Sequence, residues 1–390
     1  MPVSQVNQHK WPVVSVGSGA ANAVDHLLVN LPYLEQYENI VLMFDNDEDG
    51  KAGAEKAAQE LSGHLTVKIA ELPLKDPNEM VQARRGSELI DAMFNAREWQ
   101  PEGIVNAKDL IEEYSEVKAS TATPYQFDGL TAVTLGIRGG EIVTLGAGSG
   151  VGKTQFCTEL CYDLITKRSK RVGLVFREQG WSRTLDGLAG LSLGRKIHVE
   201  RALQGLPSDI RSIVQERKSI GEFDGDAAKA ALQELTSSGH LYLDKVWGSE
   251  DFAKLLSKIR YLAISKKCDV VILDHISIVV SGLEIDDERK AIDVAYTKLR
   301  TLCETCGVAL IIVSHLRRPD GNKGFEEGLD ITLSHFRGSQ SIGQLSDVVL
   351  GLQRNKKDPQ RKFWTEVKVF KFRFTGEDCC TACWLKCFDD

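Results

Sequence analysis

Ala147-Gly148-Ser149-Gly150-Val151-Gly152-Lys153-Thr154 decides the fold of this chain. An apolar run, Glu141-Ile-Val-Thr-Leu-Gly146, leads into it, and 155–166 follows with helical apolar spacing. Strand, glycine loop and helix start make an anion cradle. Successive backbone N–H groups and the positive end of the helix dipole face a polyphosphate. Lys153 is placed for the β- and γ-phosphates and Thr154 for Mg²⁺; Gly148, Ser149, Gly150 and Gly152 supply the backbone cradle. The usual pattern opens on glycine where this chain has Ala147, and a small residue suffices there.

Outward from the loop, buried-type strands recur with helices between them. Arg171-Val-Gly-Leu-Val-Phe176 ends in Arg177-Glu178, 269–274 ends in Asp274-His275, and 308–315 ends in His315. This alternation predicts a parallel sheet covered on both faces, with one site along the carboxyl edge. There Asp274 suits the Mg²⁺-shell carboxylate and Glu178 the base that orients and deprotonates water. His315 is read as a γ-phosphate sensor. The stretch after it carries Arg317, Arg318, Lys323, Arg337 and Gly338, a composition that grips a nucleic-acid backbone or is simply a solvated loop.

Residues 1–98 read as a smaller α/β unit, with strands over 12–16, 39–44 and 67–72 and helices over 20–30 and up to Leu61. Asp45 and Asp47 follow the middle strand; they share a hard cation or form an acidic turn. Residues 99–124 read as a linker whose helix, 105–118, has only a thin apolar side. Residues 125–390 form the second domain.

The 390 residues are 42% hydrophobic and 26% charged with a net charge of −7, so nucleic acid must be met by a local basic patch. No apolar stretch is long enough to span a membrane, and the start has no secretory pattern, so a cytoplasmic location is expected, that of a host cell if the chain is phage-encoded. The nine cysteines are expected to be reduced core or surface thiols rather than a zinc module.

Several stretches together carry a resemblance: 269–280, Asp287-Glu-Arg-Lys290, Phe336-Arg-Gly-Ser339, Gln344-Leu-Ser-Asp347 and Lys371-Phe-Arg-Phe-Thr-Gly376. From about 12 to 378 the chain resembles the bifunctional primase–helicases of short-tailed phages, kin to mitochondrial Twinkle and bacterial DnaB ring helicases. The resemblance implies a RecA-like P-loop NTPase domain preceded by a partial Toprim-type domain. It also implies a homo-hexamer or ring of similar size on single-stranded DNA at the replication fork, with a replicative DNA polymerase as a further partner. Mg²⁺ is the implied cofactor and ATP or dTTP the substrate, the choice being left open. Gln344 is implied as the relay from His315, Arg373 as a finger inserted into the neighbour's site with Lys371 beside it, and Arg354 as the residue that stacks on the base. Arg317, Lys323, Arg337 and Gly338 match the DNA-contacting loops, although Gly343 stands where the family usually has a basic residue. Helix 105–118 matches the linker helix that packs on the adjacent subunit.

Relative to the family, both ends look shortened: the Toprim strand with its glutamate and the zinc-binding module do not precede Asp45 and Asp47, and 378–390 aligns loosely, with Trp384 as the candidate aromatic. Primer synthesis is therefore expected to be lost or supplied by another chain. Three functions stay open: a translocating helicase, a DNA-coating RecA-like ATPase, and a non-catalytic subunit of a primase–helicase ring.

Overall fold

The computed structural model describes residues 11–16, 23–116, 121–280, 283, 285, 287–317, 324–376 and 380–386. The chain divides into two compact units, 1–118 and 119–390.

In the first unit, β1 (Asn39–Leu42) and β2 (Thr66–Ile69) pair in parallel, and β3 (Arg97–Glu98) adds antiparallel to β2. The helix Glu48–Leu61 packs Ala57, Ala58 and Leu61 against Leu42, Val67, Val24 and Leu27. Its alanines let it sit close on so small a sheet. It begins at Glu48, because Asp47 accepts the Gly50 N–H at 2.9 Å and acts as its N-cap. The strand expected over 12–16 does not form. Pro12 has no N–H for a ladder, Val14 is 60% exposed, and Trp11 instead packs edge-on against Phe94. Of the helix expected over 105–118, the described residues 105–116 are helical over Ile111–Glu116, and 117–118 lie outside the described residues. Asn106 Oδ1 takes the Lys108 N–H at 3.0 Å, holding the start as a turn. Val105, Ile111 and Tyr114 lie exposed.

The second unit is built on eight strands in the order β11-β10-β9-β4-β8-β7-β5-β6. These are β4 (Ile142–Ala147), β5 (Val172–Phe176), β6 (Leu241–Leu243), β7 (Val270–Asp274), β8 (Ala309–His315), β9 (Val348–Gln353), β10 (Trp364–Phe372) and β11 (Cys380–Lys386). From β9 to β6 every pairing is parallel, and β10 and β11 extend the β9 edge antiparallel. Alternation along β4 divides the core. Val143 and Leu145 face Phe156, Leu160 and Leu164 of helix Lys153–Thr166. On the other face Ile142 joins Leu299 and Leu302 of helix Glu288–Cys306, where Cys303 is buried as a thiol. Parallel strands end at one edge, so Ala147, Phe176, Asp274 and His315 all deliver the chain to the same side.

Candidate functional site

The phosphate loop fits its strand as the sequence implies. Gly150 and Gly152 take φ of +64° and +106°, conformations that a side chain resists, and helix Lys153–Thr166 starts immediately after them. Ala147 stays inside β4, paired with His315 and Leu352, so its methyl group meets no strain there. Lys153 Nζ donates to the carbonyls of Ala147 at 3.0 Å and Gly148 at 3.3 Å. Burial lowers its pKa, while the charges of Asp274 and Glu178 pull the other way.

Thr154 Oγ1 donates to Asp274 Oδ2 at 2.8 Å, while Asp274 Oδ1 is buried and has no hydrogen-bond partner. Burial raises the Asp274 pKa to about 6, against the Thr154 bond, which lowers it. A hydroxyl beside a buried carboxylate with one uncommitted oxygen is the hard, oxygen-only donor set that suits Mg²⁺. The residues present fit that ion.

Glu178 stands two residues past the end of β5. Its neighbour Arg177 is 1% exposed and anchors that strand end, bonding Val246 O at 2.9 Å, Asp244 at 2.9 Å and Glu250 at 2.7 Å. Glu178 is thereby turned outward and half-exposed. Its Oε1 lies 2.7 Å from His275 Nε2 and 3.3 Å from His315 Nε2, and the two imidazole nitrogens are 2.8 Å apart. Burial lowers the pKa of both histidines; mutual repulsion adds for His275 and the nearby Lys153 for His315. His275 was quoted in the sequence only as the end of a strand. Its proximity to Asp274 is the signal that was there to read.

A cavity of about 810 Å³ is lined by the loop, Lys153, Thr154, Glu178, His315, Leu316, Arg317 and Arg337, and by Phe325 and Glu326. His315 is tied to the loop beyond it by backbone: Arg337 N donates to His315 O at 3.1 Å, and Arg317 N to His335 O at 2.7 Å. Arg337 pairs with Glu288 at 3.0 Å, and Gly338 turns the chain into helix Ser339–Leu345 with a φ of +73°. Lys323 and Arg318 lie outside the described residues. Lys356, not anticipated from the sequence, holds its Nζ 2.9 Å from where a Cβ on Gly150 would stand, and so caps the loop with a second cation.

Gln344, Arg354, Lys371 and Arg373 do not line this cavity within one chain, nor do Gly338 and Asp274, whose carboxylate meets the site through Thr154. Arg373 is half-exposed on the far side of β9, bonded to the Gln344 carbonyl and 3.3 Å from Asp347. Lys371 Nζ donates to Gly343 O at 2.6 Å and Ser346 O at 2.7 Å. Arg354 is half-buried, its Nε without a hydrogen-bond partner. In the first unit Asp47 spends one oxygen on its helix cap, and Asp45 precedes it on the same turn. Trp384 on β11 lies opposite Glu366, with the Arg361 guanidinium 5.6 Å above its ring.

Against known proteins, the DnaB-like helicase C terminal domain matches residues 123–387, and a Toprim-like domain matches 1–81. The DNA helicase/primase of Enterobacteria phage T3 is 34% identical over 381 residues, which cover 97% of this chain and 64% of the phage protein. The replicative DNA helicase DnaC of Bacillus subtilis (strain 168) is 24% identical over 69% of this chain and 56% of its own length. The chain thus spans less than two thirds of the length of these relatives. Among solved structures, a DnaB-like replicative helicase superposes with a TM-score of 0.55 at 17% identity, covering 93% of this chain and 77% of that one. The likeness in fold and the match over most of the second unit place this chain in the DnaB-like helicase family, its RecA-like domain preceded by a Toprim-like segment.

Proposed function

We propose that this protein is an NTP-hydrolysing replicative DNA helicase that assembles as a ring, translocates on single-stranded DNA and unwinds duplex ahead of it. One observation carries the reading. The strand that presents His315 to the phosphate cavity is hydrogen-bonded directly to Arg337 of the basic stretch. A change at the γ-phosphate therefore reaches a DNA-facing cation through a single residue, which is what coupling hydrolysis to grip requires.

Within the site, Lys153 balances the charge of the β- and γ-phosphates. Thr154 and Asp274 would hold Mg²⁺, which when bound would draw electron density from the phosphate oxygens. Glu178, outside the loop and backed by the Arg177 anchor, takes a proton from the attacking water. His315 contacts Glu178 and carries the state of that carboxylate to its own strand. Arg373 lies away from this chain's cavity and half-exposed, as a finger serving a neighbouring subunit would. The exposed apolar side chains of Ile111 and Tyr114 support docking of the linker helix on another subunit. The substrate is ATP or dTTP, the assembly a hexamer or a ring of similar size, and a replicative polymerase is a fitting partner.

The test is steady-state hydrolysis of each nucleotide with and without single-stranded DNA, run beside native mass measurement. A ring whose turnover rises on DNA supports the proposal. A monomer whose turnover ignores DNA refutes it.

A further inference from the structure

Glu178, His275 and His315 are the group among the described residues in which three metal-competent side chains converge, with ligand atoms within 4.8 Å of one another. Hydrogen bonding alone leaves this cluster in conflict. Each neutral imidazole carries its proton on one ring nitrogen, and an ionised carboxylate only accepts. If His275 Nε2 holds a proton, it serves Glu178 at 2.7 Å and His315 at 2.8 Å. Then the His315 Nε2 lone pair still faces Glu178 Oε1 at 3.3 Å with nothing between them. If His315 holds the proton instead, the His275 lone pair faces the carboxylate. A divalent ion at the centre satisfies all three lone pairs at once.

We propose that Glu178, His275 and His315 form a binding site for a divalent transition ion, zinc above all, distinct from the magnesium position at Thr154 and Asp274. Two imidazoles and one carboxylate make a donor set that favours zinc and its neighbours over magnesium, which takes oxygens. Tetrahedral bonds of about 2.0–2.2 Å set ligand atoms roughly 3.3–3.5 Å apart. The Glu178–His315 separation already meets that spacing, and the other two pairs must open by about half an ångström. Glu178 and His315 are the side chains free to do so, each opening one pair: they are 42% and 31% exposed, against 5% for His275. The fourth position points toward the cavity lined by Glu178 and His315, and accepts water or a phosphate oxygen. The consequence rests on the proposed role of Glu178. An ion bound here occupies the lone pair that would take the proton from water and ties it to the strand of His315. Zinc therefore locks the motor in one state, and its removal releases the lock.

The test uses the full chain without nucleotide or magnesium, titrated with Co²⁺ and followed by its visible d–d absorption, with Zn²⁺ as competitor. The expected result is one saturable ion per chain, displaced by zinc, without the strong thiolate-to-cobalt absorption that cysteine ligation gives. Glu178→Gln, His275→Gln and His315→Gln should each weaken binding at least tenfold. The exposed Glu178 variant keeps the test decisive should the buried His275 variant misfold. A thiolate band, or unchanged affinity in all three variants, overturns the site. Hydrolysis is read separately: zinc should suppress turnover, and a chelator selective for zinc over magnesium should restore it. Binding that these variants abolish, together with full turnover of zinc-loaded enzyme, would leave the site standing and remove Glu178 as the base.

Discussion

Thr154 and Asp274 are joined by a 2.8 Å hydrogen bond across 120 positions of sequence, and that bond links the phosphate loop to the end of β7. It leaves the other Asp274 oxygen buried and unbonded. A carboxyl group so placed prefers its proton, and its pKa rises from 3.8 to about 6.

The sign of the pH effect follows. The folded pKa lies above the unfolded one, so Asp274 favours the fold fully below about 4, and that contribution is lost as pH rises through about 6. The loss is worth ~3 kcal/mol at most. Asp274→Asn should therefore gain stability relative to the unaltered protein between pH 4 and pH 7, in the absence of Mg²⁺ and nucleotide, while losing hydrolysis. Chemical denaturation at several pH values measures this. A stability difference that does not vary with pH contradicts the burial account.

Hydrolysis should need both Lys153 and Glu178. Glu178→Gln keeps the shape of the cavity and removes the base, so turnover should fall by about 10²–10⁴ with nucleotide affinity retained. Single-turnover kinetics beside a fluorescent-nucleotide titration separates the two effects. Turnover near that of the unaltered protein would show that another group takes the proton.

Arg373 should act in trans. Arg373→Ala alone should lower turnover by ~10³-fold or more. Mixed with Lys153→Ala subunits, it should regain activity at interfaces where an intact loop meets an intact finger. Activity of the mixture no higher than that of either parent would place the finger elsewhere.

Gly146 bears on the loop through packing. A Cβ there would lie 2.3 Å from a ring carbon of the fully buried Phe336, one residue before Arg337. Gly146→Ala should cost about 1–3 kcal/mol by overpacking, partly relieved by Phe336→Leu. Urea denaturation of the single and double variants checks this. Additive losses would mean that the two positions do not touch.

The second unit was legible because its signals are local. Each buried strand is a continuous apolar run, and the candidate site residues stand beyond or at its end: Lys153 after β4, Glu178 after β5, Asp274 closing β7 and His315 closing β8. What the sequence concealed was placement between elements. His275 joins the cluster because β5, β7 and β8 lie near one another at their carboxyl ends, a fact of strand order rather than of spacing. Lys356 reaches Gly150 from beyond β9, across about two hundred positions. In the first unit the apolar run over 12–16 carries a strand signal, but Pro12 offers no N–H and no partner ladder forms among the described residues. At Asp47 a helix cap competes with the metal reading, since one carboxylate oxygen is committed to the Gly50 N–H.

Arg337 pairs with Glu288 at 3.0 Å, both half-exposed. Such pairs are worth ~0–1 kcal/mol, little enough for a DNA phosphate to displace. Arg337→Ala should weaken single-strand binding and lower the salt slope by about one per subunit engaged. Glu288→Gln should tighten binding, and both should leave basal hydrolysis largely intact. Fluorescence anisotropy across a salt series reads these effects. Equal affinities in all three proteins would remove Arg337 from the DNA contact.

The central claim is that nucleotide hydrolysis at Lys153 and Glu178 drives movement along single-stranded DNA. Strand displacement from a forked duplex tests it most directly, with a hydrolysable triphosphate, a non-hydrolysable one and the Glu178→Gln protein in parallel. The account predicts displacement with the hydrolysable nucleotide and unaltered protein alone, while DNA binding persists with the non-hydrolysable one. Hydrolysis stimulated by DNA but never accompanied by displacement would contradict it.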